Sequence, residues 1–292
     1  MIKRTTRAAI RLARRWLAEK QVGAPTIANG DAPFSYQRAN QFFAQLAAEQ
    51  DFNRPHYLWG ALQSVNLAKA LGLKRISFIE FGVAGGNGLA ALEVIAQKLE
   101  DIFQVGIDTH GFGALDGLPK PQDYRDLPNI FREGFYPTKQ EELDRRLKTA
   151  KLHIGLVEHT VCKFIESKPA PVAFISFDLD YYSSTKDAFK LLEAGKEILM
   201  PRIHCYFDDI MANTYSEFTG ERLAIAEFNA SSEARKLSPI FGLRYFLAPP
   251  YHVSTWPEMM FIAHIFDHDL YGCYDGLNGL NQETVLNLRA ER

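Results

Sequence analysis

Cysteine is scarce. Cys162, Cys205 and Cys273 are the only three in 292 residues, they lie far apart, and they form no CxxC pair. An odd, scattered set excludes a disulfide framework and a zinc knuckle and suits a reducing cytoplasm. No run of about 18 apolar residues is present, so no segment reads as a membrane span, and no secretory apolar core is seen. Neither sign of charge dominates, with 33 Lys/Arg against 35 Asp/Glu and a net charge of -2. Basic patches with interleaved aromatics do not recur along the chain, which argues against a nucleic-acid partner. Internal repeats and low-complexity segments are also missing.

The charge that is present is unevenly placed. Residues 1–20, MIKRTTRAAIRLARRWLAEK, carry +6, so the rest of the chain carries -8. At helical spacing Arg4, Arg7, Arg11, Arg14 and Arg15 share one side, opposite Leu12, Trp16 and Leu17. Such a helix suits peripheral contact with an anionic membrane surface. It equally suits packing onto the body of the protein, or onto a second subunit of a homo-oligomer, with its arginines solvated. Residues 21–34 read as a linker, so residues 1–50 are expected to form a helical extension and 51–292 the main domain.

Downstream, helices alternate with short apolar runs. Two helices, SYQRANQFFAQLAAEQ and HYLWGALQSVNLAKALG, precede the strand RISFIEF. The strands IFQVGIDTHGF, KLHIGLVEH, VAFISFDLD and RIHCYFDDI follow, separated by helices or, at 111–140, by a polar loop that could act as a lid. GERLAIAEFNASS is a helix, and LRYFLA and MMFIAHIF read as two late strands. Alternation of this kind predicts a doubly wound, mostly parallel α/β sheet of Rossmann-like form. Ligands of such sheets lie beyond the carboxyl ends of the strands, where Glu80, Asp108, Asp178, Asp180, Asp208 and Asp209 are all expected.

EFGVAGGNG, following the first strand, holds Gly82, Gly85, Gly86 and Gly88. Glycines let a backbone turn sharply and approach a ligand closely. The spacing G-x-x-G-G-x-G departs from the dinucleotide pattern G-x-G-x-x-G. With Glu80, it matches the E/D-x-G-x-x-x-G pattern of class I S-adenosylmethionine methyltransferases. An acid ending the second strand, Asp108, would accept hydrogen bonds from ribose hydroxyls, a role that serves NAD equally well. Asp178 and Asp180, one residue apart, point the same way if the pleat persists. Together with Asp208 and Asp209 they would repel one another unless a cation sits among them. Oxygen ligands suit Mg²⁺, Ca²⁺ or Mn²⁺; helix capping and solvation are the competing explanations.

DLDYYSSTKDAF, then YFDDI, then GERLAIAEF resembles the macrocin O-methyltransferase family, metal-dependent sugar O-methyltransferases. EFGVAGG and Asp108 with Gly117-Leu118-Pro119 extend the resemblance over about residues 55–230. It implies a seven-stranded class I methyltransferase sheet and S-adenosylmethionine held by Glu80, Gly82, Gly85, Gly86 and Asp108. It also implies Mg²⁺ on Asp180, Asp208 and Asp209, a general base at Asp178 or Asp180, and a sugar-containing acceptor. Two departures fall near the acceptor pocket: LMPRIHCYF lacks the family's G-G turn, and extra residues, GFGA among them, separate Asp108 from Gly117. His56 and Tyr57 either line that pocket or pack, His204 is expected in the core, and His264 and His268 lie spread along a strand. The competing functions are an NAD-dependent oxidoreductase or epimerase, which would want a Tyr-x-x-x-Lys pair that is missing, and a non-catalytic membrane-surface binding protein.

Overall fold

A computed structural model of the chain describes residues 33–49, 54–211 and 215–277. The basic helix expected at 1–20, and with it the membrane or subunit contact assigned there, lies outside the described residues. Helix α1 (Tyr36–Glu49) packs on α2 (Pro55–Ala70), and then come β1 (Arg75–Phe81), α3 (Asn87–Phe103) and β2 (Gly106–Gly113). A covering arm leads to α4 (Gln140–Arg146), β3 (Lys151–Ile154), α5 (Val157–Glu166), β4 (Val172–Phe177) and α6 (Tyr182–Phe189). β5 (Leu199–Phe207), α7 (Gly220–Ser231), β6 (Arg235–Pro239) and β7 (Met260–Ile265) complete the order.

One seven-stranded sheet runs β3-β2-β1-β4-β5-β7-β6. Five strands are parallel, and β7 is antiparallel to both β5 and β6. This is the class I methyltransferase fold. The central strands are apolar along their whole length because helices cover both faces: β4, VAFISF, is buried at every position. Helix α2 lies against β4 and β5, and α3 against β1 and β2. Among the described residues no helix is long and apolar enough to cross a membrane.

Three expectations shift. LRYFLA is not a strand: Leu243–Phe246 is a 3₁₀ turn entered through Gly242 at φ 74°, and only Leu243 of it is buried. The edge strand is RKLSP, whose polar composition hid it. KLHIGLVEH divides at Gly155 (φ 133°), and VEHTVCKFIE is helical, burying Val157, Thr160, Val161 and Phe164 at helical spacing. In IFQVGIDTHGF, Ile102 and Phe103 still belong to α3, which ends at Gln104 in the left-handed conformation. The second strand therefore starts later and runs on to Gly113.

Candidate active site

The central strands end on phenylalanines in register. Phe112 of β2 partners Phe81 of β1, Phe81 partners Phe177 of β4, and Phe177 partners Phe207 of β5. Their rings form a row across the sheet, with centroids 4.7, 5.5 and 4.6 Å apart. Each ring is fully buried, and ring pairs at such spacings add to burial. The row levels the four strand ends. The next residue on each chain, Gly113, Gly82, Asp178 and Asp208, stands on one rim, and all four line a single cavity of about 400 Å³.

Gly82 has φ 92°, and a Cβ there would collide with the backbone carbonyl of Asp178. Asp178 N–H donates to the Phe81 carbonyl at 3.0 Å, so the ends of β1 and β4 meet at the rim only because residue 82 has no side chain. Val83 and Ala84 continue the wall. The Gly82 and Val83 N–H groups both donate to the Phe112 carbonyl, at 2.9 and 3.1 Å. The turn therefore presents a bare, close backbone, and those two amides are not aimed at a ligand. Gly85 and Gly86 complete the turn without lining the cavity, and Arg146 bridges the Gly85 carbonyl and Asn87 Oδ1 outside it.

Glu80 does not reach the cavity either. It accepts from Tyr57 Oη at 2.7 Å, and Ser176 Oγ donates to the same Tyr57 oxygen at 2.7 Å. Burial pushes its carboxyl up to about 7. A Cβ on Gly88 would strike that carboxylate, so Glu80 and Gly88 together fix how α3 leaves the strand.

Asp108 is a correction. It is the third residue of β2, opposite Ser77 near the start of β1, so it lies toward the opposite rim. There Arg75 grips it at 2.8 and 2.9 Å and holds its carboxyl below the usual range. The late start of β2 moved it: the strand continues five residues past Asp108, and those residues are the apparent insertion before Gly117. Gly113 holds the strand-end position, so β2 offers no carboxylate to a ribose.

The reacting end gathers the expected aspartates. Asp178, Asp180, Asp208 and Asp209 all line the cavity. Asp180, in the left-handed region at φ 60°, donates its N–H to Asp209 Oδ2 at 3.0 Å. Asp209 N–H donates in turn to Glu221 Oε2 at 2.9 Å. Tyr206 Oη donates to Asp208 Oδ1 at 2.7 Å, and Tyr215 Oη to Asp209 Oδ1 at 3.4 Å. The carboxylates of Asp178 and Asp180 accept no hydrogen bond from the described residues. Burial, followed by the neighbouring carboxylates, pushes Asp180 up to about 8 and Asp209 up to about 6, with Asp178 and Glu221 also raised. Among the described residues no group of three His, Cys, Asp or Glu side chains is arranged to hold a metal ion.

His56 and Tyr57 do not line the cavity. His56 stacks on Tyr206 at 4.2 Å and so backs the residue that holds Asp208. His204 lies in the core against Ser64 Oγ at 3.1 Å, and His264 meets Tyr271 Oη at 2.9 Å. The polar stretch after β2 covers the cavity with Phe131, Phe135 and Tyr136. It doubles back on itself, with Leu118 N–H to Phe135 O and Gly134 N–H to Leu118 O both 2.8 Å. Asp126, 1% exposed, pins it to the start of α6 by accepting from Ser183 N–H at 2.8 Å and Ser183 Oγ at 2.9 Å.

Gly113, Asp126, Tyr215 and Glu221 were not foreseen. For Gly113 the signal was present: Phe112-Gly113 repeats Phe81-Gly82, just as Phe207-Asp208 repeats Phe177-Asp178. Asp126 ends a single 3₁₀ turn and Tyr215 sits in a loop, where no periodicity marks them.

No family model and no curated protein sequence matches the chain. Solved structures are similar to it. CalS11, a calicheamicin methyltransferase, is 20% identical over 70% of this chain and 88% of that one, with a TM-score of 0.44. The apo structure of CalS11, described as a TDP-rhamnose 3′-O-methyltransferase, is 19% identical over 80% and 89%, with a TM-score of 0.39. An O-methyltransferase from Bacillus cereus in complex with S-adenosylhomocysteine is 14% identical over 77% and 91%, with a TM-score of 0.34. The fold rests on the strand order itself, and the likeness to the macrocin family remains one of motifs.

Proposed function

We propose that the chain is an S-adenosylmethionine-dependent O-methyltransferase whose cavity joins donor and acceptor at the ends of β1, β2, β4 and β5. One observation carries this reading: the glycine turn and four aspartates face the same cavity, at the place where this fold binds ligands. The walls suit the cofactor. Gly82, Ala84, Gly113, Ala114 and Gly155 leave room for a flat base and ribose against the backbone. About 400 Å³ lies within the usual range for a small-molecule site. The ribose hydroxyls, however, would have to find partners other than Asp108.

When bound, S-adenosylmethionine supplies a methyl group whose C–S electron pair stays on sulfur as a hydroxyl oxygen forms the new C–O bond. The protein's part is mainly to position the two reactants. The arm after β2 supplies Phe131, Phe135 and Tyr136 to the cavity wall. Asp178 or Asp180, whose carboxylates accept no hydrogen bond from the described residues, takes the proton released by the hydroxyl; burial raises both, so the one that acts must be ionised before transfer. Tyr206 and Tyr215 orient Asp208 and Asp209.

The donor set is oxygen-only and is offset among the described residues by Arg54 behind it, which suits a hard divalent ion by its chemistry, although the carboxylates are not arranged around one in this structure. Asp180, Asp208 and Asp209 would hold it, and it would stabilise the developing alkoxide. The motif likeness to sugar O-methyltransferases keeps a sugar-bearing acceptor as one candidate. The NAD reading is weakened, since its ribose acid would have been Asp108. Transfer of labelled methyl to a panel of glycosides, with EDTA or MgCl₂, tests the proposal in wild type, Asp180→Asn and Asp208→Asn. Loss of transfer with S-adenosylhomocysteine binding retained supports it; wild-type rates in both variants refute the assignment of the reacting end.

A further inference from the structure

The cavity carries charge of one sign. Asp178, Asp180, Asp208 and Asp209 line it, and its described lining has no lysine, arginine or histidine. Asp180 is 9% exposed, and its carboxylate accepts no hydrogen bond from the described residues. Arg54 lends its charge to Asp178 and Asp208 but does not line the cavity. Lys120 and Arg132, on the covering arm, are exposed and outside the lining. Phe131, Phe135 and Tyr136 add aromatic rings to the same lining.

We infer that this cavity selects its acceptor by charge, admitting an uncharged or amine-bearing hydroxyl compound and rejecting one that carries a phosphate. The inference rests on the methyl-transfer reading of the cavity and adds a substrate class to it. A phosphate entering here gives up its water and finds carboxylates in place of donors, and a buried charge without partners is strongly disfavoured. An ammonium does the reverse. It pairs with Asp178 or Asp180, whose carboxylates accept no hydrogen bond from the described residues. A divalent ion would be offset by the carboxylates that hold it and leave no positive excess for a phosphate. The aromatic side chains give the apolar face of a ring a surface to lie on.

The test uses three methyl glucosides that differ only at carbon 6, bearing a hydroxyl, an amine or a phosphate. Each is titrated calorimetrically into the full chain with saturating S-adenosylhomocysteine, once with EDTA and once with MgCl₂. The amine and the hydroxyl compounds are expected to bind at least about ten-fold more tightly than the phosphate in both buffers, a gap of roughly 1.4 kcal/mol. Ser184→Arg adds a cation at a half-buried lining position on α6, four residues past Asp180. It is expected to raise phosphate affinity about ten-fold and to change the hydroxyl compound by less than about two-fold. Equal or tighter binding of the phosphate, failure of the amine to bind, or no response to Ser184→Arg overturns the inference. The S-adenosylhomocysteine titration, run first, separates the two levels. If it binds and the charge order is reversed, the inference alone falls. If it does not bind, the methyl-transfer reading falls, and the charge order is read on the unliganded chain.

Discussion

Phe177 and Phe207 stack with ring centroids 4.6 Å apart and planes within 7°, and each is followed in the chain by an aspartate facing the cavity. The pairing sets the ends of β4 and β5 level, which brings Asp178 and Asp208 onto one rim. Phe177→Leu is therefore expected to lower stability by about 1–3 kcal/mol, for lost burial and an imperfectly filled site. Transfer should fall further than stability explains, because Asp178 shifts. Urea unfolding and turnover, measured on the same preparation, check both parts.

Glycine at the turn is needed unequally. Gly82→Ala forces a left-handed alanine into the Asp178 carbonyl and should cost more than about 2 kcal/mol, with loss of S-adenosylhomocysteine binding. At Gly85 a Cβ would meet open space, with nothing within 4 Å, and the backbone has no positive φ. Gly85→Ala should keep affinity within about two-fold and stability within about 0.5 kcal/mol. Calorimetry on the pair distinguishes a turn shaped for close approach from glycines that merely occur there.

Asp108 acts on the far rim. Asp108→Asn removes its ion pair with Arg75, whose side chain is 60% exposed, so stability should fall by less than about 1 kcal/mol. Affinity for S-adenosylhomocysteine should not change. A ten-fold loss in the same titration would return Asp108 to the ribose.

The unliganded protein should be more stable at pH 6.5 than at pH 8.5. Asp180 and Glu80 have folded values of about 8 and about 7, above their unfolded ones. Their contribution is fully present below the unfolded value and is lost as pH rises through 7 to 8. His56, His110 and His204 are lowered by burial to about 3, about 4 and about 3. At pH 6.5 each is half charged in the unfolded chain, which costs the fold about 0.4 kcal/mol apiece and offsets part of the carboxylate gain without reversing it. Asp180 and Asp209 titrate together, and the pair should give a difference on the order of 2 kcal/mol. Urea unfolding at the two pH values, on wild type and Asp180→Asn, measures it. Millimolar MgCl₂ should narrow the difference if the rim holds an ion.

Much of this site could be read from the order of apolar runs, glycines and acids. FISFDLD and HCYFDD mark strand ends because an apolar run stops abruptly at charge, and the glycine turn marks the first βα junction. Boundary errors caused the misplacements. Ile102 and Phe103 suit a strand or the end of a helix equally, and only packing against the sheet settles where α3 stops. That four-residue shift carried Asp108 from the ligand rim to the other end of β2. Asp126, which pins the arm, ends a single 3₁₀ turn, where local pattern says nothing about a partner 57 residues away.

The most direct test of the central claim is a crystal structure of the chain grown with S-adenosylhomocysteine. The account predicts the nucleoside against Gly82, Ala84 and Gly113, with its sulfur directed at Asp178 and Asp180. Density for the ligand outside this cavity, or a cavity that stays closed at saturating ligand, would contradict it.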